Sequence, residues 1–498
     1  MNLKTRLQAG YIPCRRFARC GMKLKVYMII LAIGCFTAFE LKASFLHIGK
    51  DDLLLAERAP NILVLIADDW GYPHASGLGD KVVNTPNFDR IAKQGVLFTN
   101  AFTTAPSCTP SRASLLTGRW PHQLEEGVHL KGFLPKKFSN YVEILANEGY
   151  AIGHTRKGWG PGKHQVGGYD HNPAGPKFSN FQTFFEKKPT EQPFCFWFGS
   201  YDPHRPYVKG SGAKTGKSVS DVIVPAFLPD NEVVRHDILD YYFEIERFDR
   251  EVGEILDMLE ASGELDNTLI VITGDNGMPF PRAKANLYDA GTHVPLAISW
   301  PARIKPGQIC TAFVSFVDLA PTFLTAAGNK APNTMVGVDL LPLMTTTDTT
   351  IKRSMVFLER ERHAHAREGN IGYPSRAVRT QEFLYVKNFR SDRWPAGDPG
   401  KDGKTFADID SSPTKDHIMI HRAIANITPF FELAFMKRPP EELYDLRVDP
   451  HQLINVANDK YYEAVIKGLR KELIQWMQKT DDPRLDNGGD YLDDYSYQ

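Results

Sequence analysis

The stretch from Ser107 to Gly118 has the residue types and spacing best suited to catalysis. Its sequence is SCTPSRASLLTG, with Cys108 just before Pro110 and Arg112. A helix that begins near Pro110 would direct free backbone N–H groups and its positive dipole end at an anion beside Cys108. Arg112 adds a planar cation that can bind two oxygens of an oxyanion. We therefore predict that Cys108 lies where a tetrahedral anion is held and attacked.

Two further pairs of polar side chains each follow an apolar run. Asp68 and Asp69 come directly after the run ILVLIA. Asp275 and Asn276 come directly after the run LIVITG. Each pair taken alone is more typical of a turn or a helix cap. If the two runs are neighbouring strands, however, three carboxylates and one amide oxygen converge, which suits Ca²⁺ or Mg²⁺ and favours Ca²⁺.

The elements that must position these residues follow an α/β pattern. Continuous apolar runs are typical of strands buried on both faces of a parallel sheet, and ligands bind such sheets at the carboxyl ends of the strands. A long amphipathic helix over 238–259, with Gly263 as its stop, precedes the second of the two runs. We predict a mostly parallel sheet flanked by helices in a catalytic domain spanning 59–345. The remaining predicted elements are a helix over 85–95 and strands over 149–154 and 194–198.

A smaller C-terminal α+β subdomain is predicted over 351–480. A threonine-rich linker over 345–350 precedes it, and its predicted elements are strands over 355–358 and 383–386 and a helix over 461–479. The acidic, glycine-rich tail over 481–498 is expected to be frayed. Cationic side chains concentrated in this subdomain suggest a role in substrate specificity, although a solvated face explains them equally well; they include Arg360, Arg362, Arg376, Arg379, Lys387 and Arg393.

The N-terminal segment 1–44 is predicted to direct export. Basic residues precede an apolar run over 26–39 that is too short to span a membrane, which favours a secretory signal over a membrane anchor. Of the six cysteines, Cys108, Cys195 and Cys310 lie beyond this segment, which excludes a disulfide framework. The formal net charge of zero argues against a nucleic-acid-binding protein but allows an anionic substrate.

The pattern C-x-P-S-R-x-x-L-L-T-G resembles the signature of type I sulfatases. In that family a maturation enzyme oxidises the cysteine to formylglycine, whose hydrate is the nucleophile. The resemblance makes Cys108 that residue and a further metal ligand beside the strand-end pairs. His204 matches the family's P-H-x-P element and is expected to protonate the leaving group. Lys284 lies in a segment similar to K-x-x-L-Y-E-G-G-x-R-x-P, whose lysine binds sulfate; His293 replaces the arginine here.

The family's G-K-x-H element has only a partial match. Lys157 corresponds to its lysine, but Trp159 stands at the position of its histidine. Either His154 or His164 could replace that imidazole. The remaining candidates for substrate binding, beside His293, are His122, Arg282 and His363.

The segment DNGMPFP from Asp275, with NLY from Asn286, is similar to the heparan N-sulfatase (sulfamidase) branch. The late element ELYDL from Glu442 also resembles the family. The resemblance implies an alkaline-phosphatase-like core, Ca²⁺, and a sulfated carbohydrate as substrate. Two alternatives remain open at this point. One is a phosphoester or phosphonate hydrolase of the same superfamily, and the other is a catalytically inactive protein that binds sulfated glycans.

Overall fold

The computed structural model describes residues 58–346, 353–400 and 405–497. The predicted export segment and most of the predicted linker lie outside these residues. Among the described helices, none combines the length and the apolar composition that a membrane crossing requires. The strands are β1 (Asn61–Ala67), β2 (Val96–Phe98), β3 (Ala101–Phe102), β4 (Ala151–Arg156), β5 (Lys177–Phe178), β6 (Phe194–Gly199), β7 (Thr268–Gly274), β8 (Leu296–Ser299), β9 (Gln308–Cys310), β10 (Val314–Ser315), β11 (Met355–Arg360), β12 (Ser375–Thr380), β13 (Phe383–Asn388) and β14 (Glu441–Asp445).

Helices occupy much of the chain between these strands. Three of them match predicted helices: α1, α5 and α11 begin and end within a few residues of the expected bounds, apart from an earlier start of α5. Gly263, just after α5, has φ 74°, the left-handed conformation expected of a helix stop. The helices are α1 (Pro86–Gln94), α2 (Cys108–Thr117), α3 (Tyr141–Asn147), α4 (Phe181–Lys187), α5 (Glu232–Ala261), α6 (Asp289–Thr292), α7 (Leu319–Ala326), α8 (Leu341–Thr345), α9 (Pro413–His421), α10 (Thr428–Phe435) and α11 (Glu463–Lys479).

An eight-stranded sheet forms the centre of the fold, in the order β5-β4-β6-β1-β7-β8-β2-β9. The strands from β5 to β7 run parallel, whereas β8 is antiparallel to both β7 and β2. Because β1 and β7 are neighbours, the expectation that the two polar strand ends meet is confirmed. The predicted α/β fold with a mostly parallel sheet is confirmed as well.

Both faces of this sheet are covered, which explains the continuous apolar runs. Alternate residues of β1 point to opposite sides: Leu63 and Leu65 pack on one side with α1 and α5, while Val64 and Ile66 pack on the other with α2, α3 and α7. All residues of β1 and β7 are buried. The sheet is thus a rigid platform whose carboxyl edge carries the polar strand ends.

A second, antiparallel sheet of four strands follows in the order β11-β12-β13-β14. Helix α11 packs against one of its faces through Leu473 and Trp476, which contact Tyr385 and Leu443 in one apolar cluster. This confirms the predicted C-terminal α+β part. The described residues from Ala59 onward form one compact unit that includes both sheets.

The expectation of a frayed C-terminal tail is wrong for the described residues of that tail. This segment forms short 3₁₀ helices over Pro483–Leu485 and Asn487–Asp494, and Asp482 just before them pairs with Arg376 of β12 over 2.6 Å. The guanidinium of Arg484 is buried against the Glu361 carboxylate, with Nε 3.1 Å from Oε1. Specific ion pairs therefore hold a segment whose composition suggested disorder.

Candidate active site

The carboxyl ends of β1 and β7 bring the predicted metal ligands together. In the parallel register Ala67 lies opposite Gly274, so the residues that follow each strand meet at one edge. The backbone N–H of Asp69 donates to Asp275 Oδ1 over 2.9 Å, and Asn276 Nδ2 donates to the same oxygen over 2.7 Å. Both predicted pairs are fully buried in this arrangement.

Cys108 is the first residue of α2 and points into this acidic cluster. Its Sγ lies 3.4 Å from Asp68 Oδ1 and 3.7 Å from Asn276 Nδ2. The helix start is fixed on the end of β7 because Ser111 Oγ donates to the Asp275 carbonyl over 2.5 Å. The prediction of a helix start at this stretch is confirmed, and Cys108 is at the amino-terminal, positive end of the helix dipole.

Three cations surround the carboxylates. Arg112 Nε donates to Asp275 Oδ2 over 2.7 Å, while its buried Nη2 has no hydrogen-bond partner among the described residues. Lys157 Nζ lies 2.6 Å from both oxygens of Asp68. Lys284 Nζ lies 2.6 Å from both oxygens of Asp69. The sequence placed these residues far apart, and the fold gathers them around one point.

The electrostatics of the site are unfavourable to a thiolate. Burial raises the pKa of Cys108 well above its ordinary value, and the Asp275 and Asp68 carboxylates raise it further. Burial opposes ionisation of Asp68 most strongly, but Lys157, His204 and Arg112 together outweigh it and hold the pKa of Asp68 below its usual value. Because the thiolate is the nucleophilic form of cysteine, the unmodified thiol is poorly suited to attack here.

His204 lies at the open side of the cluster, in the loop after β6. Its Nδ1 donates to the Arg205 carbonyl over 2.6 Å, which leaves Nε2 as the nitrogen that gains or loses a proton. Nε2 is 3.8 Å from Asp69 Oδ2, and the side chain is 34% exposed. This geometry suits a proton donor that faces a bound substrate.

Asp410 was missed by the sequence analysis. Its carboxylate, together with groups of Asp69 and His204, offers three ligand atoms that lie within 4.8 Å of one another. Asp410 Oδ2 is also 3.8 Å from Lys284 Nζ. The residue comes from the C-terminal part of the chain, in a segment with no strand-end pattern and no recognised motif, so nothing in the local sequence marked it.

The other predicted substrate-binding residues lie in different surroundings. His363 is next to the site, since its Nδ1 is 2.8 Å from Ser107 Oγ; burial, together with Lys284, lowers its pKa to about 3. His293 is stacked between Tyr72 and Phe102, with Nε2 3.0 Å from the Thr99 carbonyl. Neither side chain contacts the acidic cluster in the described residues.

Two of these predictions have little geometric support. His122 is buried between Glu359, whose Oε2 is 2.7 Å from Nδ1, and the Thr480 carbonyl, so no part of its ring is open to a substrate. Arg282 is equally buried and donates to the backbone carbonyls of Leu433 and Gln452. Arg282 and His293 do line a second cavity of about 550 Å³, but Cys108 does not.

The two histidines proposed to replace the one missing at Trp159, His154 and His164, make no described hydrogen bond or ion pair with the acidic cluster. Trp159 is buried in the core beside α2. His154 Nδ1 is 2.8 Å from the Gly175 carbonyl, and burial lowers its pKa to about 4. No contact joins His154 or His164 to Cys108. The structure therefore gives neither histidine the predicted substitute role.

Most of the cationic side chains of the C-terminal part are not a substrate-binding face. They form buried or partly buried ion pairs instead: Arg376 with Asp482, Arg360 with Asp408, Arg379 with Asp289, and Arg393 with Asp493. Their charges stabilise the packing of segments that are distant in sequence. This contradicts the idea that these arginines select the substrate directly.

The cluster fits a hard divalent cation. Ligand atoms of Asp68, Asp69, Cys108 and Asp275 lie within 4.8 Å of one another, and all four residues are buried. The donors are mainly carboxylate oxygens, and no imidazole is among them, which suits Ca²⁺ better than a transition metal. The spacing is compatible with one ion held by all these side chains at once.

Comparison with known proteins identifies the class. The Sulfatase family matches residues 60–329, and the structure's fold is alkaline-phosphatase-like. The chain belongs to the sulfatase family. Within that family, the C-terminal domain of N-sulphoglucosamine sulphohydrolase matches residues 282–428. The chain is 30% identical over 486 residues to N-sulphoglucosamine sulphohydrolase of Homo sapiens, covering 86% of this chain and 92% of the relative.

Other relatives extend this picture. An ulvan-active sulfatase of Formosa agariphila is 28% identical over 484 residues, covering 86% of this chain and 76% of the relative. A structure solved in complex with its substrate D-glucosamine-2-N,6-O-disulfate has a TM-score of 0.63 at 19% identity, covering 85% of this chain and 99% of that one. A phosphonate monoester hydrolase of Agrobacterium radiobacter has a TM-score of 0.59 at 19% identity, covering 86% of this chain and 97% of that one. Both structures have the same fold as this chain.

Proposed function

We propose that this sulfatase hydrolyses sulfate esters or sulfamates of carbohydrates through a formylglycine formed at Cys108, with Ca²⁺ as its metal. The observation that supports this most directly is the position of Cys108, at a helix start among three buried carboxylates and three cations. The raised pKa of the thiol also favours a modified nucleophile over cysteine itself.

When present, the formylglycine hydrate supplies the attacking oxygen and Ca²⁺ neutralises charge on the sulfate. The residues that would hold the ion are Asp68, Asp69, Asp275, Asn276 and the modified Cys108.

The protein's own groups provide the remaining functions. Arg112 Nη2 lies 3.6 Å from Asp68 Oδ1 without forming a hydrogen bond, and Lys157 and Lys284 supply ammonium groups; all three cations can bind sulfate oxygens. His204 Nε2 delivers the proton that the departing atom needs as its bond to sulfur breaks.

Maturation of Cys108 can be tested directly. The full chain should be produced with a formylglycine-generating enzyme, and the mass of the peptide carrying residue 108 should show an aldehyde in place of the thiol. Cys108→Ala should abolish sulfate release while leaving thermal unfolding unchanged. An active preparation in which residue 108 is unmodified cysteine would refute the formylglycine mechanism.

The alternatives have less support. A phosphonate or phosphoester hydrolase with a transition metal would be expected to use histidine ligands, and the described cluster contains none. A catalytically inactive glycan-binding protein would not need the complete set of acids, cations and cysteine that surrounds this point. Rates on a sulfate ester and on the matched phosphonate ester would distinguish the first alternative.

We also propose that the chain is exported, with residues 1–44 as the signal. The basic flank and short apolar run support this proposal. N-terminal sequencing of the protein recovered outside the cytoplasm should begin after residue 44. A cytoplasmic protein that retains residue 1 would contradict it.

A further inference from the structure

We propose that Asp410 is a specificity-determining residue that selects a sulfamate over a sulfate ester at the leaving atom. This inference rests on the proposed function of the site. Asp410 shares the opening above Asp69 with His204: its side chain is 32% exposed, and His204 is 34% exposed. Its Oδ2 has no hydrogen-bond partner among the described residues. This oxygen is buried, and Lys284 Nζ at 3.8 Å is too far away to donate a hydrogen bond to it, so an acceptor without a hydrogen bond lies beside the proton donor.

The position of Asp410 is fixed by its neighbours. Two residues earlier, Asp408 forms buried ion pairs with Arg360 and Arg367. On the other side, Lys415 Nζ donates to the Ile409 carbonyl over 2.7 Å. These contacts hold the short segment that carries the carboxylate, so Asp410 is positioned before any substrate arrives.

The loop that carries His204 is tied to the same segment. Arg205 binds Asp237 of α5 through two hydrogen bonds of 2.8 and 2.9 Å. Thr414, in the first turn of α9, donates to the same Asp237 carboxylate over 2.6 Å. Because one carboxylate anchors both segments, His204 and Asp410 keep a fixed spacing at the place where the leaving atom departs.

The chemistry of the two leaving atoms differs at this point. As the nucleophile's oxygen bonds to sulfur, the S–N bond of a sulfamate breaks, its electron pair stays on nitrogen, and the proton from His204 Nε2 converts the nitrogen into an amine. That nitrogen carries a hydrogen throughout and is partly positive while proton transfer runs ahead of S–N cleavage, so a carboxylate beside it accepts a hydrogen bond and stabilises the charge. The bridging oxygen of an ester carries no hydrogen and would direct lone pairs at Asp410.

A matched substrate pair tests this. N-sulfoglucosamine and glucose 2-sulfate differ at the leaving atom only, NH against O. The specificity constant kcat/KM should be measured for both substrates with matured wild type, Asp410→Asn and, as a control, Asp416→Asn. The control removes an exposed carboxylate from the same region. We expect Asp410→Asn to lower the sulfamate-to-ester ratio by about 10- to 100-fold, the usual scale for a hydrogen bond to a charged group, and the control to leave it unchanged.

A ratio unchanged within about twofold in Asp410→Asn would overturn the proposal. If that variant is inactive on both substrates, calorimetry in a Cys108→Ala background decides: Asp410→Asn must weaken binding of N-sulfoglucosamine more than binding of glucose 2-sulfate, and equal weakening overturns the proposal. Failure of the proposed function is a separate result, since matured wild type would then release sulfate from neither substrate.

Discussion

Replacement of His204 by alanine separates proton donation from sulfate binding. Breaking the bond to sulfur requires a proton on a sugar oxygen or nitrogen, whereas an activated aryl oxide leaves almost unaided. With Nδ1 held by the Arg205 carbonyl and Nε2 facing the opening, His204 can act on the leaving atom. We therefore expect His204→Ala to lower kcat/KM on a sulfated sugar by about 10²- to 10⁴-fold. On 4-nitrophenyl sulfate the loss should be less than about 10-fold.

The structure also indicates that this variant should fold. The His204 ring is a third exposed, so its removal leaves no buried cavity, and a change in the free energy of unfolding of about 0.5 kcal/mol or less is expected. Lys284→Ala provides the contrast, because both substrates carry the same sulfate group and should lose activity equally. That variant leaves Asp69 buried without its partner, so about 3–5 kcal/mol of stability should be lost, and assays must run well below its unfolding temperature.

The decisive quantity in each variant is kcat/KM for the sulfated sugar divided by kcat/KM for the aryl sulfate. A large drop in the sugar-to-aryl ratio for His204→Ala, with an unchanged ratio for Lys284→Ala, supports the assigned roles. Equal loss on both substrates in His204→Ala would refute its role as the acid and make it a sulfate ligand.

Three further outcomes are expected. Asp275→Ala should lose bound Ca²⁺ and activity together, measured by elemental analysis and turnover, because the ligands act as one unit; retained metal and turnover would contradict the metal site. Burial opposes protonation of His122 most strongly, but Glu359 and Asp482 together outweigh it and hold the pKa of His122 above 6.5; this stabilisation is therefore complete below about pH 6.5 and is lost as pH rises through the raised value. His122→Gln should remove that pH dependence from urea unfolding, and an unaltered slope would contradict it. Arg484→Ala should cost about 1–3 kcal/mol in unfolding free energy, because it removes one of the two buried cations that contact Glu361 and leaves Arg376, and an unchanged Tm would show that the tail contributes little.

The centre of the site could be predicted because its determinants are local. The run before Asp68 and the run before Asp275 both indicate strands buried on two faces, and parallel pairing then brings their ends together. Cys108 was identified from a short pattern at a helix start. In each case the functional residue is adjacent in sequence to the strand or helix that positions it. Predicting that strand or helix from the sequence therefore also predicts where the residue lies.

The surroundings of the site could not be predicted because their partners are remote. The charged run that includes Glu361 has the composition of a solvated face, yet a tail more than 100 residues later covers it with Asp482 and Arg484. The same applies to Asp410, which reaches the site only because the C-terminal segment packs against α5. The amino-acid composition shows that such residues are charged, but it does not show which oppositely charged residue forms an ion pair with each of them.

The balance of charge at the centre gives a physical reason why metal and substrate belong together. The buried carboxylates and the cations that contact them are equal in number, three of each, namely Asp68, Asp69 and Asp275 with Arg112, Lys157 and Lys284. By this count these six groups are neutral, and both ammonium groups are occupied by carboxylates at 2.6 Å; Asp410, 3.8 Å from Lys284, adds a negative charge at the edge of the centre. A divalent cation that takes over the carboxylate oxygens adds two positive charges to the centre and frees both lysines for an anion. Binding of sulfate should therefore depend steeply on Ca²⁺, and equal affinity of the Cys108→Ala variant for a sulfated sugar with and without Ca²⁺ would refute this coupling.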